Sequence, residues 1–225
     1  REYNAVNVGG TVSLMEAMRD VGVRRVVFIS SGAIYGKQAR QPLKEKNRPS
    51  PDSPYAVSKL SSESYVRTIG ELWGIETVSL RVFNAYGPGQ NLPPSHPPVI
   101  PNFIRQAVRN GSIVVHGGGD QTRDYIYLDD AIQAMVAAAT APSIDGQVIN
   151  VGSGTETSVR DLAQMIMTLT DSSAELIFNP RASSGVDRMC ADLSLACEKL
   201  DFEPKISLED GLQRTIQQDD RFALP

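Results

Sequence analysis

The chain has 225 residues, of which 41% are hydrophobic and 21% are charged, so it can bury one large core or two smaller ones. A net charge of −4 without a basic block argues against a nucleic-acid surface. Two cysteines, Cys190 and Cys197, do not make a disulfide framework, and no apolar run reaches the roughly 18 residues of a membrane span. We therefore expect a reduced, soluble, cytoplasmic protein with no membrane or nucleic-acid partner and no metal site.

The predicted elements alternate between helices and strands along the chain. Apolar periodicity and glycine stops predict helices over 4–21, 55–73, 102–110, 129–141 and 158–169. Short apolar runs predict strands over 24–31, 76–83, 113–116, 125–128 and 148–151. Glycine, proline and charge predict loops over 32–54 and 88–101. This alternation predicts an α/β fold with a mostly parallel sheet.

One helical pair carries candidate chemistry. Tyr55 and Lys59 lie four residues apart after Pro54, so they share one helix face. An ammonium beside a phenol favours the phenolate, which could act as a base near neutral pH. By itself this pair is more often a surface tyrosine with a solvated lysine neighbour. Ser31, 24 residues upstream at a predicted strand end, strengthens the case, although a serine there can also simply satisfy the strand end.

Four motifs occur in order along the chain. They are Ser30-Ser31-x-x-Ile34-Tyr35-Gly36, Pro54-Tyr55-x-x-x-Lys59, Arg81-x-Phe83-Asn84-x-Tyr86-Gly87-Pro88-Gly89-Gln90 and Gln121-x-Arg123-Asp124-Tyr125-Ile126-Tyr127-x-Asp129-Asp130. Together they resemble the extended short-chain dehydrogenases, and within them the UDP-glucose/UDP-galactose 4-epimerase branch. The segment Asn7-Val8-Gly9-Gly10-Thr11 is similar to the family's helix beside the nicotinamide half of the cofactor. The resemblance spans essentially the whole chain.

The resemblance implies an architecture of two parts. Residues 1–84 with about 124–150 are expected to form the C-terminal part of a Rossmann-type, doubly wound parallel sheet that binds NAD. Residues of about 85–123 with 151–225 are expected to form a smaller α/β domain for the nucleotide sugar. A homodimer through helices 4–21 and 55–73 is also implied, although their apolar stripes fit a sheet-facing role equally well.

The resemblance also implies roles for individual residues around the reacting sugar. Tyr55 would remove the proton of the C4 hydroxyl, Lys59 would bind the nicotinamide ribose and favour the phenolate, and Ser31 would hydrogen-bond the reacting oxygen. Asn7 and Phe83 would complete the cofactor contacts, although Phe83 is equally well explained as a core residue at a strand end. The expected cofactor is NAD rather than NADP, and the chemistry belongs to it while the protein positions and polarises.

The remaining residues implied by the resemblance would bind a nucleotide-diphosphate sugar. Asn84 would contact the diphosphate, Val99, Val114 and His116 would line the nucleotide, and Arg123 and Arg181 would bind phosphate. Met189 would limit the size of the substituent at the sugar C2. A salt bridge to Asp120 or Asp124 is the alternative role for Arg123.

Two departures from the family pattern narrow the prediction. Gly32 and Ala33 stand where relatives that eliminate water or carbon dioxide carry acidic residues, so dehydratase and decarboxylase chemistry is disfavoured. The glycine-rich dinucleotide turn is also missing. Gly152-Ser153-Gly154 lacks the third glycine, because Thr157 stands there, and we interpret it as a plain turn before a helix capped by Thr157 or Ser158.

The adenine half of the cofactor site is therefore expected in roughly a hundred further residues, since an apolar helical pattern is already under way at the start of the sequence. The fragment alone is not expected to hold NAD tightly. The leading functional hypothesis is a nucleotide-sugar 4-epimerase. The alternatives are an NAD(P)H-dependent reductase of a nucleotide-linked 4-keto sugar and a truncated, non-catalytic member of the family.

Overall fold

The computed structural model describes residues 1–179 and 185–222. The strands are β1 (Arg25–Ser31), β2 (Glu76–Val82), β3 (Ala85–Tyr86), β4 (Ile113–His116), β5 (Thr122–Asp124), β6 (Ile126–Tyr127), β7 (Gln147–Val151), β8 (Glu156–Ser158) and β9 (Leu176–Asn179). The α-helices are α1 (Gly10–Asp20), α2 (Pro54–Trp73), α3 (Val99–Val108), α4 (Leu128–Thr140), α5 (Val159–Leu169), α6 (Ser194–Leu200) and α7 (Leu208–Gln218). A π-helix precedes α1 over Asn4–Gly9, and 3₁₀ turns cover Gly32–Tyr35 and Asp220–Phe222.

A parallel sheet in the order β1-β2-β7 forms the centre of the first core. Its register aligns Ser30, Arg81 and Asn150 across the three strands, so their carboxyl ends meet at one edge. One face packs against α1 and α2, and the other packs against α4 and α6. The predicted α/β class with a parallel sheet is thereby confirmed, and this edge is where such sheets usually carry their ligands.

A second hydrophobic core lies among α3, α5, α7 and the strands β4 and β9, which pair in parallel. Its fully buried members include Ile104, Ile113, Val115, Leu162 and Leu212. The short helix α6 packs instead against α4 and β7 of the first core. The predicted division of the chain into two domains stays a prediction. Within the described residues, no helix combines the length and apolarity that crossing a membrane requires.

The predicted helix over 4–21 begins with a π-helical segment. The backbone carbonyl of Asn7 accepts hydrogen bonds from the hydroxyls of Thr11 and Ser62. Side-chain donors that enter the backbone ladder in this way disturb the regular α-helical pattern. Two consecutive glycines, Gly9 and Gly10, lower the helix propensity at the same point.

Three other boundaries differ from the predictions. The predicted loop 88–101 ends in the first turn of α3, and the predicted loop 32–54 starts with a 3₁₀ turn. Of the predicted strand 125–128, only residues 126–127 form a strand, β6, which pairs in parallel with β3, whereas the strand before it, β5, pairs antiparallel with β8. Leu128 belongs to α4 rather than to a strand. Tertiary pairing decides these boundaries, since the local sequence suits either conformation.

The buried face of α4 consists of three alanines and Asp130. Ala131, Ala134 and Ala138 are fully buried, whereas the exposed fractions of Ile132 and Val136 are 44% and 61%. The larger apolar side chains of this helix therefore lie largely on its open side. Alanines allow the helix backbone to approach the sheet closely, which explains why they occupy the packed side.

Candidate active site

Ser31 ends β1 at the carboxyl edge of the sheet. Its side-chain oxygen accepts a hydrogen bond of 3.2 Å from the backbone N–H of Ala33 and so caps the 3₁₀ turn. Ser31 therefore has the structural role that was its alternative assignment, since it accepts a backbone hydrogen bond at the end of the strand. The same hydroxyl keeps its own hydrogen, which can be donated to a substrate oxygen.

Helix α2 places Tyr55 in its first turn and Lys59 in the next. Ser53 caps the helix by accepting a hydrogen bond from the N–H of Ala56, and Pro54 occupies the first position, as predicted. The side chain of Tyr55 is half-buried, with its ring edge-on to Tyr3 at a centroid distance of 5.7 Å. Its hydroxyl forms no hydrogen bond with the residues that the structure describes, so it is available to a ligand.

Lys59 connects this helix to the strand that carries Ser31. Its Nζ donates a hydrogen bond of 2.8 Å to the backbone oxygen of Ile29 and lies 5.3 Å from the centre of the Phe28 ring. Burial lowers the pKa of Lys59 below its ordinary value. The ammonium is therefore held at the carboxyl half of β1, close in sequence to Ser31 and one helical turn from Tyr55.

A buried polar network lies beneath this edge of the sheet. Arg81 of β2 forms a two-pronged ion pair with Glu63 of α2, and Ser30 donates a hydrogen bond of 2.6 Å to the same carboxylate. Arg81 also donates to the hydroxyl of Tyr35, which in turn donates to the side-chain oxygen of Asn150. Each member has at least one hydrogen-bond partner within the network, which links all three strands of the sheet to α2.

Asn7 lies against α2 next to the Tyr55–Lys59 pair. Its Nδ2 donates a hydrogen bond of 2.9 Å to the hydroxyl of Ser58, which itself donates to the backbone oxygen of Tyr55. The predicted cofactor residue is thus tied to the turn of α2 that carries the candidate base.

Phe83 and Met189 belong to one small apolar cluster behind the strand edge. Phe83 is 1% exposed and Met189 is 7% exposed, and both pack with Ile34 and Leu43. A Cβ atom placed on Gly32 would lie 3.0 Å from the Phe83 ring. Phe83 therefore has the geometry of a core residue, as its alternative assignment expected, and it requires the glycine beside Ser31.

Five predicted substrate residues line one cavity of about 540 Å³. They are Asn84, Val99, Val114, His116 and Arg123. Met189 is not among the residues lining this cavity, and Arg181 lies outside the described residues. The cavity brings together residues from separate parts of the chain. Its volume and its mixture of polar and apolar lining residues suit a nucleotide-sized ligand.

The cavity also contains residues that the sequence analysis missed, namely His96, Asn102, Gln121 and Tyr125. The sequence contained a pattern that could have identified two of them, Gln121 and Tyr125. Gln121, Arg123 and Tyr125 alternate along an extended segment, and alternate residues of an extended chain point to the same side. The same alternation places Val114 and His116 together on the exposed face of β4.

Arg123 has a largely buried guanidinium. Its Nη1 donates a hydrogen bond of 2.7 Å to the backbone oxygen of Thr122, and burial lowers its pKa. The two carboxylates considered as salt-bridge partners are engaged elsewhere. Asp120 pairs with Arg160 at 3.6 Å, and Asp124 accepts hydrogen bonds from backbone N–H groups.

The turn Gly152-Ser153-Gly154 is held by the carboxylate of Asp124. The N–H groups of Ser153 and Gly154 donate to Asp124, and a Cβ on Gly152 would lie 2.6 Å from the Asp124 Oδ2 atom. Ser158 then caps α5 by accepting from the N–H of Asp161. The interpretation as a plain turn before a capped helix is confirmed, because the anion-binding groups of the turn already hold a side chain.

Comparison with known proteins identifies the family. Residues 1–152 match the model of the NAD dependent epimerase/dehydratase family. A putative UDP-glucose 4-epimerase of Methanocaldococcus jannaschii is 35% identical over 94% of this chain and 68% of that protein. The chain therefore spans about two thirds of the length of that relative.

Two solved structures share the fold. The UDP-glucose 4-epimerase of Thermotoga maritima, solved with UDP-glucose, has a TM-score of 0.89 and 33% identity over 95% of this chain and 69% of its own. The UDP-glucuronic acid 4-epimerase of Bacillus cereus, solved with UDP-glucuronic acid and NAD, has a TM-score of 0.87 and 32% identity over 94% and 66%. These neighbours share the predicted Rossmann-type architecture.

Relatives with other activities match as well. A UDP-N-acetyl-alpha-D-glucosaminuronate decarboxylase of Bacillus cytotoxicus is 32% identical over 96% of this chain and 70% of that protein. A dTDP-D-glucose 4,6-dehydratase of Mus musculus is 30% identical over 96% and 61%. Similarity alone therefore defines the family and its nucleotide-sugar chemistry without selecting one reaction. The chain belongs to the NAD dependent epimerase/dehydratase family, within the extended short-chain dehydrogenases.

Proposed function

We propose that the protein epimerises a nucleotide sugar at C4, with Ser31, Tyr55 and Lys59 as its catalytic residues. The observation that carries the proposal is the bond from Lys59 to the backbone of Ile29, because it fixes the helix of the candidate base against the strand that ends at Ser31. The Thermotoga maritima and Bacillus cereus structures, both named as 4-epimerases, support the same reaction.

The residues at the sheet edge suit the nicotinamide half of NAD. The unpartnered hydroxyl of Tyr55 and the ammonium of Lys59 are the donors that ribose hydroxyls require. Asn7 is bonded to Ser58 in the same turn of α2, and Phe83 lies against Gly32, the residue after Ser31. When bound, NAD supplies the hydride chemistry at C4. NAD is proposed over NADP on the resemblance and on the NAD-bound neighbour.

In the proposed mechanism the residues of the protein bind the C4 oxygen of the sugar and transfer its proton. Tyr55, as phenolate, takes the proton from the C4 hydroxyl and later returns it. The positive charge of Lys59 favours the phenolate, and the Ser31 hydroxyl donates a hydrogen bond to the same oxygen. Between the two proton transfers the sugar turns, so that its opposite face is presented and the configuration at C4 is inverted.

The cavity of about 540 Å³ is proposed to hold the nucleotide diphosphate. Asn84 and Arg123 supply polar groups for phosphate oxygens, while Val114 and His116 offer a surface for the base. Val99 begins α3, and the N-terminus of a ten-residue helix favours an anion. Arg181 and Met189 remain proposed substrate residues on the resemblance alone.

The residues after Ser31 favour epimerisation over elimination. Neither Gly32 nor Ala33 can transfer a proton, and a Cβ atom at position 32 would lie 3.0 Å from the ring of Phe83, so that a larger residue there would require the ring to shift. This contact gives a steric reason why Gly32 cannot be replaced by an acidic residue unless Phe83 repacks.

The decisive experiment supplies the complete polypeptide with UDP-galactose and no added cofactor. Formation of UDP-glucose is expected, because the cofactor is restored in each turnover. No conversion of UDP-galactose, and none of its N-acetylated counterpart, would reject the proposal.

A reductase acting on a nucleotide-linked 4-keto sugar is the alternative that uses the same three residues. It predicts oxidation of one NADPH for each sugar reduced, whereas epimerisation consumes none. A non-catalytic protein predicts neither activity, and the absence of a hydrogen-bonding partner for the Tyr55 hydroxyl among the described residues argues against it.

We also propose a homodimer through the segment 4–21 and α2. Large apolar side chains are exposed on both segments, namely Val6, Leu14, Val57, Tyr65 and Leu72. Exposed apolar surface of this kind marks interaction sites. A monomeric mass by light scattering at micromolar concentration would contradict the dimer.

A further inference from the structure

Two buried polar atoms near the nucleotide cavity have no hydrogen-bond partner. They are the hydroxyl oxygen of Tyr125 and the side-chain oxygen Oε1 of Gln90. Tyr125 is only 4% exposed, and burial raises the pKa of its hydroxyl. Most buried polar atoms in proteins are paired, so each exception needs a physical explanation.

Both residues line the same small cavity of about 150 Å³. This cavity adjoins the larger one, since Asn84, Val99 and Tyr125 line both. The first residues of α3, Val99 and Ile100, form part of its wall, and the N-cap position of that helix is a proline without a side-chain hydrogen bond. The two residues that carry the unpartnered atoms thus line one confined space beside the proposed ligand.

The orientation of Gln90 defines the chemistry that this space accepts. Its Nε2 donates a hydrogen bond of 3.1 Å to the backbone oxygen of Ala85, which leaves Oε1 as an acceptor. The hydroxyl of Tyr125 can donate. A phosphate oxygen or carboxylate could accept from Tyr125 but could not donate to Gln90. A hydroxyl group does both.

We propose that this small cavity is a hydroxyl subsite, in which one hydroxyl of the bound nucleotide sugar accepts from Tyr125 and donates to Gln90. The ligand class rests on the proposed function. The subsite selects ligands by hydrogen-bonding pattern and contributes to binding rather than to proton transfer. Its polar atoms stay unpaired in the free protein and become paired in the complex.

This arrangement predicts opposite effects of Tyr125→Phe on stability and on binding. Removing an unpaired buried hydroxyl is expected to raise the Tm of the free protein by about 2–4 °C. Removing a hydrogen bond to the ligand is expected to weaken the binding of UDP-glucose about five- to tenfold, measured by calorimetry on the complete polypeptide.

Tyr86→Phe is the matched control for stability. Tyr86 lines the same cavity, but its hydroxyl already donates a hydrogen bond of 3.2 Å to the backbone oxygen of Leu208. Its removal is expected to lower Tm by a similar amount. If Tyr125→Phe lowered Tm as Tyr86→Phe does, the hydroxyl of Tyr125 would have a structural role and the proposal would be overturned.

Gln90→Met provides an independent test, because it removes the acceptor while keeping a similar shape. Its effect and that of Tyr125→Phe on UDP-glucose binding are expected to be non-additive, since both contacts involve one ligand hydroxyl. A loss with UDP-glucose but not with UDP assigns that hydroxyl to the hexose. An equal loss with both assigns it to the nucleotide, and either result supports the subsite.

The failures of the two proposals are distinguishable. Wild-type affinity for both ligands in Tyr125→Phe and in Gln90→Met would overturn the subsite while leaving the proposed function intact. A wild-type protein that bound neither UDP-glucose nor UDP would overturn the proposed ligand class and the subsite with it.

Discussion

Glu63 and Arg81 form a buried ion pair of 2.7 Å between α2 and β2, directly below the candidate active site. Glu63 lies one helical turn after Lys59, and its carboxylate also accepts a hydrogen bond from Ser30, the neighbour of Ser31. The pair therefore links the helix that carries the candidate base to the strand that carries the candidate serine. Because Glu63 bonds to both β1 and β2, these contacts hold α2 in one rotational orientation against the sheet.

Glu63→Ala is expected to destabilise the fold by about 3–5 kcal/mol, because it leaves the charge of Arg81 buried without a partner. Chemical denaturation with urea measures this change. Glu198→Ala is the control, since Glu198 pairs with Lys199 on the surface and should change stability by less than about 0.5 kcal/mol. Equal effects of the two substitutions would show that the buried pair contributes nothing special.

Tyr55→Phe is expected to lower the rate of sugar turnover about 10²- to 10⁴-fold, because the ring remains while the proton-transferring group is lost. Binding of UDP should be unchanged within about twofold, since the cavity for the nucleotide lies elsewhere in the fold. Tyr65→Phe, on the same helix and 46% exposed, is the matched control. Wild-type turnover in Tyr55→Phe would eliminate the proposed base.

The pH profile of turnover tests Lys59. Burial lowers its pKa from the ordinary value of 10.5, so its positive charge is lost at a lower pH than that of an exposed lysine. Activity is therefore expected to decline on the alkaline side before pH 10.5 is reached. In Lys59→Arg the guanidinium stays charged, and this decline should move to higher pH even if the maximal rate is lower. An unchanged alkaline limb would assign the decline to another group.

Stability at acid pH is expected to depend on Asp219. Hydrogen bonds from the side chain of Arg221 and the backbone of Gly89 hold the pKa of this carboxylate at about 2, against an ordinary value of 3.8. A depressed pKa means that the stabilisation is complete above pH 5 and is lost as the pH falls towards 2. The exposed side of Arg221 weakens the interaction, so we expect about 1–2 kcal/mol.

Asp219→Asn should remove that part of the acid dependence, measured as Tm between pH 7 and pH 3. Asp161→Asn is a suitable control. Its carboxylate lies in the first turn of α5, and no hydrogen bond to it is among those that the structure describes. If both variants lost stability on acidification as the wild type does, the Asp219–Arg221 pair would not be the source.

Local sequence was sufficient to predict those features that depend on a few neighbouring residues, such as the ends of α2. Ser53, Pro54 and Gly74 delimit α2 by capping, fixed φ and a left-handed conformation, and each of these properties belongs to the residue itself. The pairing of Tyr55 with Lys59 follows from helical spacing in the same way. Identification of the family required the order of the four motifs, which the sequence also contains.

Tertiary packing decided what the spacing of residues could not express. The alternation that unites Gln121, Arg123 and Tyr125 was visible, but that they face Asn84 and Val99 across one cavity depends on how α3 packs against β4 and α5. The role of Phe83 was likewise open in the sequence, and its contact with Gly32 placed it in a core cluster.

The sequence by itself therefore determined the secondary structure of the sheet-edge elements, the family and the candidate chemical groups, because those depend on interactions within a few residues. Only the tertiary structure decided which polar atoms are satisfied. Glu63 meets Arg81 and Ser30, whereas the hydroxyl of Tyr125 and the Oε1 atom of Gln90 have no hydrogen-bond partner among the described residues. Hydrogen bonds between distant segments depend on ångström-scale positions, and these are set by the packing of the whole chain.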